Sequence, residues 1–229
     1  MIIFGVIFLC IVSYLLGSFP SGYVIARLVR RLDIRKLGSK STGATNTSRV
    51  LGFHFGLLVL FLDALKGIII LIILVTFKIE KLYMVNLFFE DKINILFIYG
   101  ICAILGHIHP LFISFKGGKA VATSFGVALF FTPILALVGV LILIIITLLT
   151  RYVSFGSLLA TFSVFLITLI LAILKVNVMP YMATPMLNII PLEYALGYGI
   201  MVLIIFIKHK DNVVRLFKGQ ENKFKFKKI

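Results

Sequence analysis

Long runs of Leu, Ile, Val and Phe, interrupted by short polar clusters, dominate the chain. Several runs approach or exceed the roughly 18–20 residues that cross a bilayer core. They lack the strict alternation of a barrel strand, so the pattern predicts transmembrane helices. The expected spans are Ile2–Leu16, Phe53–Phe77, Ile95–Gly106, Val121–Phe131, Pro133–Leu149, Ser154–Leu174 and Tyr194–Ile207. The stretch from Val121 to Leu149 reads either as one long helix or as two, broken at "FTPIL" around Pro133. Proline lacks an amide donor and clashes with the preceding turn, which makes a tight re-entry there plausible.

Charge decides between the two. The chain carries 23 Lys and Arg against 8 Asp and Glu, a net +15. With the break, eighteen basic residues fall on one side: seven in Arg27–Gly52, Lys116 and Lys119, Arg151, and eight from Lys208 onward. Four fall on the other side, at Lys78, Lys81, Lys92 and Lys175. Without the break, the eight-charge tail lands outside. The positive-inside rule favours the break. The expected fold is therefore all-α: a polytopic transmembrane helical bundle of seven spans, N-terminus outside and C-terminus cytoplasmic. We expect one domain over residues 1–229, with a basic tail at 218–229. The first span has no basic residue before it, so it is expected to stay rather than be cleaved as a signal peptide.

Composition narrows the function. At 61% apolar, the 229 residues hold more hydrophobic surface than a soluble domain of this length needs. The excess positive charge sits between membrane runs. Orientation, anionic headgroups and an anionic substrate explain it better than nucleic acid. The two cysteines, Cys10 and Cys102, lie in apolar runs and form no metal-binding or disulfide pattern.

Three polar constellations fall on the expected inner side. The first is "LGSKSTGATNTSRVLG", Leu37–Gly52, rich in hydroxyls and ending in Arg49. Ser39, Gly43, Thr45, Asn46 and Arg49 combine hydroxyls, amides and a guanidinium in a way that suits phosphate, although helix caps in a solvated loop would use the same residues. The second is "GHIHPLFISFKGGKAVATSFG", Gly106–Gly126. Here Lys116 and Lys119 flank Gly117 and Gly118 before an apolar span, so bare amides, a helix dipole and two full charges can meet an anion. Plain positive-inside anchoring is the alternative. His107 and His109 supply only two ligands, so no metal is expected, and His107 is expected to hydrogen-bond in the site or pack at its edge. The third is "KHKDNVVRLFKGQENKF", Lys208–Phe224. If the last helix continues, His209, Asn212 and Arg215 share one side. Glu221 reads as a structural partner for a cation. Two smaller features remain. Asp63 and Lys66 form a pair inside a span, either functional or an inward brace. Arg151, Ser154 and Ser157 sit at an inner helix end.

In order and spacing, "GSFPSGYVIARL", "LGSKSTGATNTSRVLG", "DALKG", "GHIHPLFISFKGGKAVATSFG" and "HKDNVVRLFKGQE" resemble the bacterial PlsY family. The resemblance covers nearly the whole chain. It implies an integral-membrane enzyme with seven spans and a cytoplasmic active site in the bacterial inner membrane. It implies that an acyl chain moves from acyl phosphate to the 1-hydroxyl of sn-glycerol 3-phosphate, giving lysophosphatidic acid. Membrane lipids, and an upstream enzyme that makes acyl phosphate, are the implied partners, and no cofactor is implied.

The family's motif residues fall on Ser39, Arg49, Gly117, Gly118 with the flanking lysines, His209 and Asn212, and its structural glutamate on Glu221. Ser39, Arg49, His209 and Asn212 are then the catalytic candidates. Gly43, Thr45, Asn46, His107, Lys116, Gly117, Gly118, Lys119 and Ser154 are the substrate-binding candidates. Either His209 or a substrate phosphate takes the proton. One departure stands out: Lys40, Ser41 and Thr42 occupy positions that are usually Gly, Asn and an apolar residue or Pro, and Lys40 gives up glycine's freedom at positive φ. An anion or phosphate-ester transporter is the alternative function, and it predicts polar residues continuing to the outer side.

Overall fold

The computed structural model describes residues 2–79, 82, 84–86, 92–176, 190 and 192–224. The chain falls into two compact units, Met1–Phe131 and Thr132–Ile229.

In the first unit, α1 (Ile2–Gly17) and α2 (Ser21–Arg30) meet at a short break. A 3₁₀ turn (Ile34–Lys36) leads to α3 (Ala44–Leu51), and α4 (Phe53–Thr76) follows immediately. A hairpin of β1 (Met84–Asn86) and β2 (Lys92–Asn94) precedes α5 (Leu96–Ile108), a second 3₁₀ turn (Leu111–Ile113) and α6 (Val121–Phe131). The hairpin is antiparallel, with Val85 opposite Ile93, and it qualifies the all-α expectation. Asn94 ends it by accepting the Leu96 amide at 2.9 Å, which starts α5.

Helix α4 lies at the centre and packs on α1, α2, α3, α5 and α6. Val59, Leu71 and Leu74 are fully buried on it. It approaches α6 closely enough that a Cβ on Gly67 would overlap the Thr123 carbonyl and one on Gly126 the Ala64 carbonyl. Lipid tails are as apolar as Leu, so small residues that let helices close up supply much of the packing energy in a membrane. Bulky side chains are pushed outward: Phe4 on α1 is 82% exposed.

The second unit contains α7 (Pro133–Thr150), α8 (Val153–Ile173), α9 (Leu192–Lys208) and α10 (Lys210–Phe217). Helix α8 packs against both α7 and α9. The helix break expected at Pro133 is present. Phe131 ends α6, and Pro133 opens α7 at the first helical position, where its missing amide costs nothing. Thr132 hydrogen-bonds Tyr198 of α9, and both are fully buried.

All seven expected apolar segments are helical, but their lengths differ. Five helical stretches among the described residues are long and apolar enough to span: Ile2–Arg30, Phe53–Thr76, Leu96–Ile113, Pro133–Thr150 and Val153–Ile173. A sixth arises if α9 and α10, bent by 60°, count as one. Helix α6 has 11 residues, a rise of about 16 Å against a core of about 30 Å. Lys81 and residues 225–229 of the basic tail lie outside the described residues.

Candidate active site

The segment expected to be a long inner loop is largely ordered structure built around Asn46. This residue is 1% exposed, on the first turn of α3. Its Nδ2 donates towards Ser41 O at 2.8 Å, Leu37 O at 3.0 Å and Ile34 O at 3.3 Å. Its Oδ1 accepts the Ser39 amide at 2.8 Å. With two hydrogens facing three carbonyls, the side chain is occupied in shaping residues 34–41, and Ser39 takes its position from it. Gly43 caps α3. Thr45 and Ser39 are half-buried, and Arg49 is exposed in the last turn of α3.

The Lys40–Ser41–Thr42 sequence follows a turn in which the Lys40 amide donates to Leu37 O at 3.0 Å. Lys40 sits at φ +59, the left-handed region that glycine enters freely. Ser41 Oγ accepts the Gly43 amide at 3.3 Å, the local turn bond an asparagine side chain also makes. Buried Thr42 packs its carbonyl on α2 at Gly22, where a Cβ would overlap it.

Arg35, which sequence reasoning counted only as charge, ties this segment to the next. Its guanidinium pairs with Asp33 at 2.9 Å, lies 4.9 Å from the Tyr23 ring centroid, and donates through Nη1 to Ile113 O at 2.9 Å. Ile113 stands just before the lysine–glycine loop. The side-chain hydrogen bond from Arg35 lowers the Asp33 carboxyl to about 2. The sequence signal is the Asp-x-Arg spacing in "DIRK".

In the loop, Lys116 is exposed, Lys119 is half-buried and Gly118 is buried. The glycine amides are engaged: Gly117 N donates to Ile108 O at 3.3 Å and Gly118 N to His107 O at 3.2 Å. They close the C-terminal end of α5, where the sequence suggested anion donors. Glycine is needed here for close approach, since a Cβ on Gly117 would overlap the His107 carbonyl and one on Gly118 the His107 Nε2. His107 is 5% exposed, with Nδ1 3.6 Å from Asp63 Oδ1. Asp63 also accepts Ser21 Oγ at 3.0 Å and meets Lys66 Nζ at 2.9 Å, while Lys66 donates to Phe19 O at 3.0 Å. Phe19 and Ser21 flank Pro20 at the break between α1 and α2.

The third constellation belongs to the second unit. The last helix does not run straight through; it bends at His209, between α9 and α10. His209 is 2% exposed and its Nδ1 lies 2.9 Å from Ile205 O. A carbonyl only accepts, so Nδ1 carries the hydrogen and, in the neutral ring, Nε2 carries the basic lone pair. Asn212 and Arg215, three apart on α10, both reach Glu221. Asn212 Nδ2 donates to Oε1 at 2.7 Å, and Arg215 Nε donates to Oε2 at 2.8 Å. Ser154 Oγ donates to Oε1 at 3.1 Å. Glu221 therefore clamps the α10 turn to the start of α8. An apolar cavity of about 640 Å³ opens nearby, lined by Phe155, Leu158, Phe162, Phe206, Leu216 and Phe217 among others.

Comparison with known proteins shows the family. The glycerol-3-phosphate acyltransferase family profile matches residues 7–219. The chain belongs to that family. A glycerol-3-phosphate acyltransferase of Staphylococcus saprophyticus is 39% identical over 221 residues, covering 96% of this chain and 98% of the relative. Among solved structures, PlsY, an integral membrane glycerol 3-phosphate acyltransferase, is similar in its glycerol 3-phosphate form. The TM-score is 0.78 at 36% identity, over 96% of each chain. Its lysophosphatidic acid form gives 0.76 at 35% identity, again over 96% of each. The expected membership of the PlsY family is borne out, and with it a multi-pass membrane acyltransferase.

Proposed function

We propose that the chain transfers a fatty acyl group from acyl phosphate to the 1-hydroxyl of sn-glycerol 3-phosphate, giving lysophosphatidic acid and phosphate. The observation that carries this is the whole-length likeness to PlsY in its glycerol 3-phosphate form, together with the motif residues standing in register. Both proposed substrates carry phosphate, and the polar segments offer Arg49, Lys116 and Lys119 as cations for it. Because its glycine amides are engaged, the lysine–glycine loop would bind through its ammonium groups and the N-terminal end of α6.

In the reaction, the C1 hydroxyl oxygen attacks the acyl carbonyl carbon, the bond from that carbon to the phosphate oxygen breaks, and phosphate leaves. An acyl phosphate is already activated, so no covalent enzyme intermediate is needed, and positioning with charge stabilisation supplies the acceleration. Ser39, held by Asn46, and Asn212, held by Glu221, orient the glycerol hydroxyls or the carbonyl. His209 takes the hydroxyl proton at Nε2. Replacing His209 with Gln lowers the maximal rate by about 10²-fold or more; a near-normal rate would hand the proton to a substrate phosphate. The apolar cavity beside α8 and α10 takes the acyl chain.

We place the protein in the bacterial cell membrane as a single catalytic domain of seven spans, N-terminus outside, active site facing the cytoplasm, with the short α6 as one pass. An upstream enzyme making acyl phosphate supplies the donor. The test is lysophosphatidic acid formation by the purified chain from glycerol 3-phosphate and either acyl phosphate or acyl-CoA.

A further inference from the structure

We infer that the buried Ser21–Asp63–Lys66 cluster is a positioning device that acts through the His107 imidazole to fix the backbone of the Lys116–Lys119 loop. The inference rests on the proposal that this loop binds phosphate. The loop has only two glycines between its lysines, so its shape must come from what it lies on. It lies on His107: the Gly118 amide donates to the His107 carbonyl at 3.2 Å, and the ring sits where a Gly118 side chain would go. A flexible side chain in that place would yield. This ring is 5% exposed and is faced on its other edge by Asp63 Oδ1, 3.6 Å from Nδ1. That separation is electrostatic contact rather than a hydrogen bond.

Asp63 is itself fixed. The same Oδ1 accepts from Ser21 at 3.0 Å and faces Lys66 at 2.9 Å, and Lys66 also holds the Phe19 carbonyl. Three helical segments thus converge on one oxygen atom. Its sister Oδ2 is buried and has no hydrogen-bond partner among the described residues. A carboxylate placed only to join helices would use both oxygens, and an apolar replacement would join them at lower cost. This one is aimed: its bonded oxygen faces the ring that shapes the loop.

The test uses the full chain in detergent or lipid and two readouts. Asp63→Asn, with Asp63→Asn/Lys66→Met as the variant that leaves no unpaired buried ammonium, is expected to cut hydrogen-exchange protection of the Gly117 and Gly118 amides about tenfold or more, with α8 unchanged. The KM for glycerol 3-phosphate is expected to rise about tenfold while kcat changes less than about threefold. Gly118→Ala should raise KM as well, and adding His107→Ala, which removes the ring the new methyl would strike, should recover part of that loss. Unchanged protection at Gly117 and Gly118 in the folded Asp63 variants overturns the inference, as does a Gly118→Ala penalty undiminished by His107→Ala. Lost protection with an unchanged KM sustains the positioning device and overturns phosphate binding by the loop.

Discussion

Two buried carboxylates, Asp63 and Glu221, are 1% and 8% exposed and play different parts. Glu221 uses both oxygens and collects donors from Ser154, Asn212 and Arg215, the last of them 36% exposed. Its charge is matched by three hydrogen bonds, one of them from a partly exposed guanidinium, as a clamp requires. Asp63 crowds its contacts onto one oxygen and pairs with a lysine buried within a spanning helix. The first arrangement holds a helix end to a turn. The second accepts a desolvation cost that simple bracing does not need, and it points at the ring under the lysine–glycine loop. Buried charge in this protein therefore has to be judged atom by atom rather than by exposure.

The comparison predicts a graded series of effects. The largest follows Asp63→Ala, which strands Lys66 in the unit interior. Removing one partner of a buried pair costs about 3–5 kcal/mol, so thermal unfolding in detergent should show a steep loss, and Lys66→Met in the same chain should restore much of it. Equal unfolding of the single and double variants would break the contrast. Glu221→Gln is milder, about 1–3 kcal/mol, because Arg215 can turn to water while Ser154 keeps an acceptor. It should also lower kcat by loosening Asn212.

Asp33 gives a smaller, pH-dependent effect. Its carboxyl, ordinarily near 3.8, is held at about 2 by Arg35. The ionised form is thus favoured in the folded state, and the stabilisation is full above pH 3.8 and fades as pH falls through about 2. An unfolding series across that window should flatten in Asp33→Asn. Lys40→Gly is the smallest. It relieves a left-handed strain of about 1–2 kcal/mol but adds chain entropy of about 0.4–1 kcal/mol to the unfolded state. A slight gain in melting temperature with unchanged turnover is expected.

Much of the fold was legible because membrane helices announce themselves by run length, and Pro133 together with the basic tail located the break between α6 and α7. Helix α3 was hidden inside the Arg27–Gly52 segment expected to be loop, and most of α2 lies before that segment, in residues given no element. Both helices are short and polar-faced, and their order depends on tertiary partners such as Asn46 and Gly22. The paired strands Met84–Asn86 and Lys92–Asn94 were passed over because each has three residues and both lie between strong helical runs.

In the site, residue types pointed to phosphate chemistry and Glu221 was correctly read as a cation's partner. Sequence could not tell that Gly117 and Gly118 serve close packing on His107, nor that Asn46 turns its amide inward, because those facts depend on contacts rather than composition. The bend at His209 escaped periodicity for the same reason: nothing but the Ile205 carbonyl marks it. Arg35 was counted only as charge and Ser21 only as part of a motif, because their partners Ile113 and Asp63 lie far away in sequence.

The most direct test of the central proposal is a donor comparison with the purified chain in lipid, following lysophosphatidic acid from glycerol 3-phosphate with Lys119→Ala and Arg49→Ala alongside. The account predicts turnover with acyl phosphate and none with acyl-CoA, falling about 10³-fold in both variants. Turnover supported by acyl-CoA, or acyl-phosphate turnover untouched by either substitution, would contradict it.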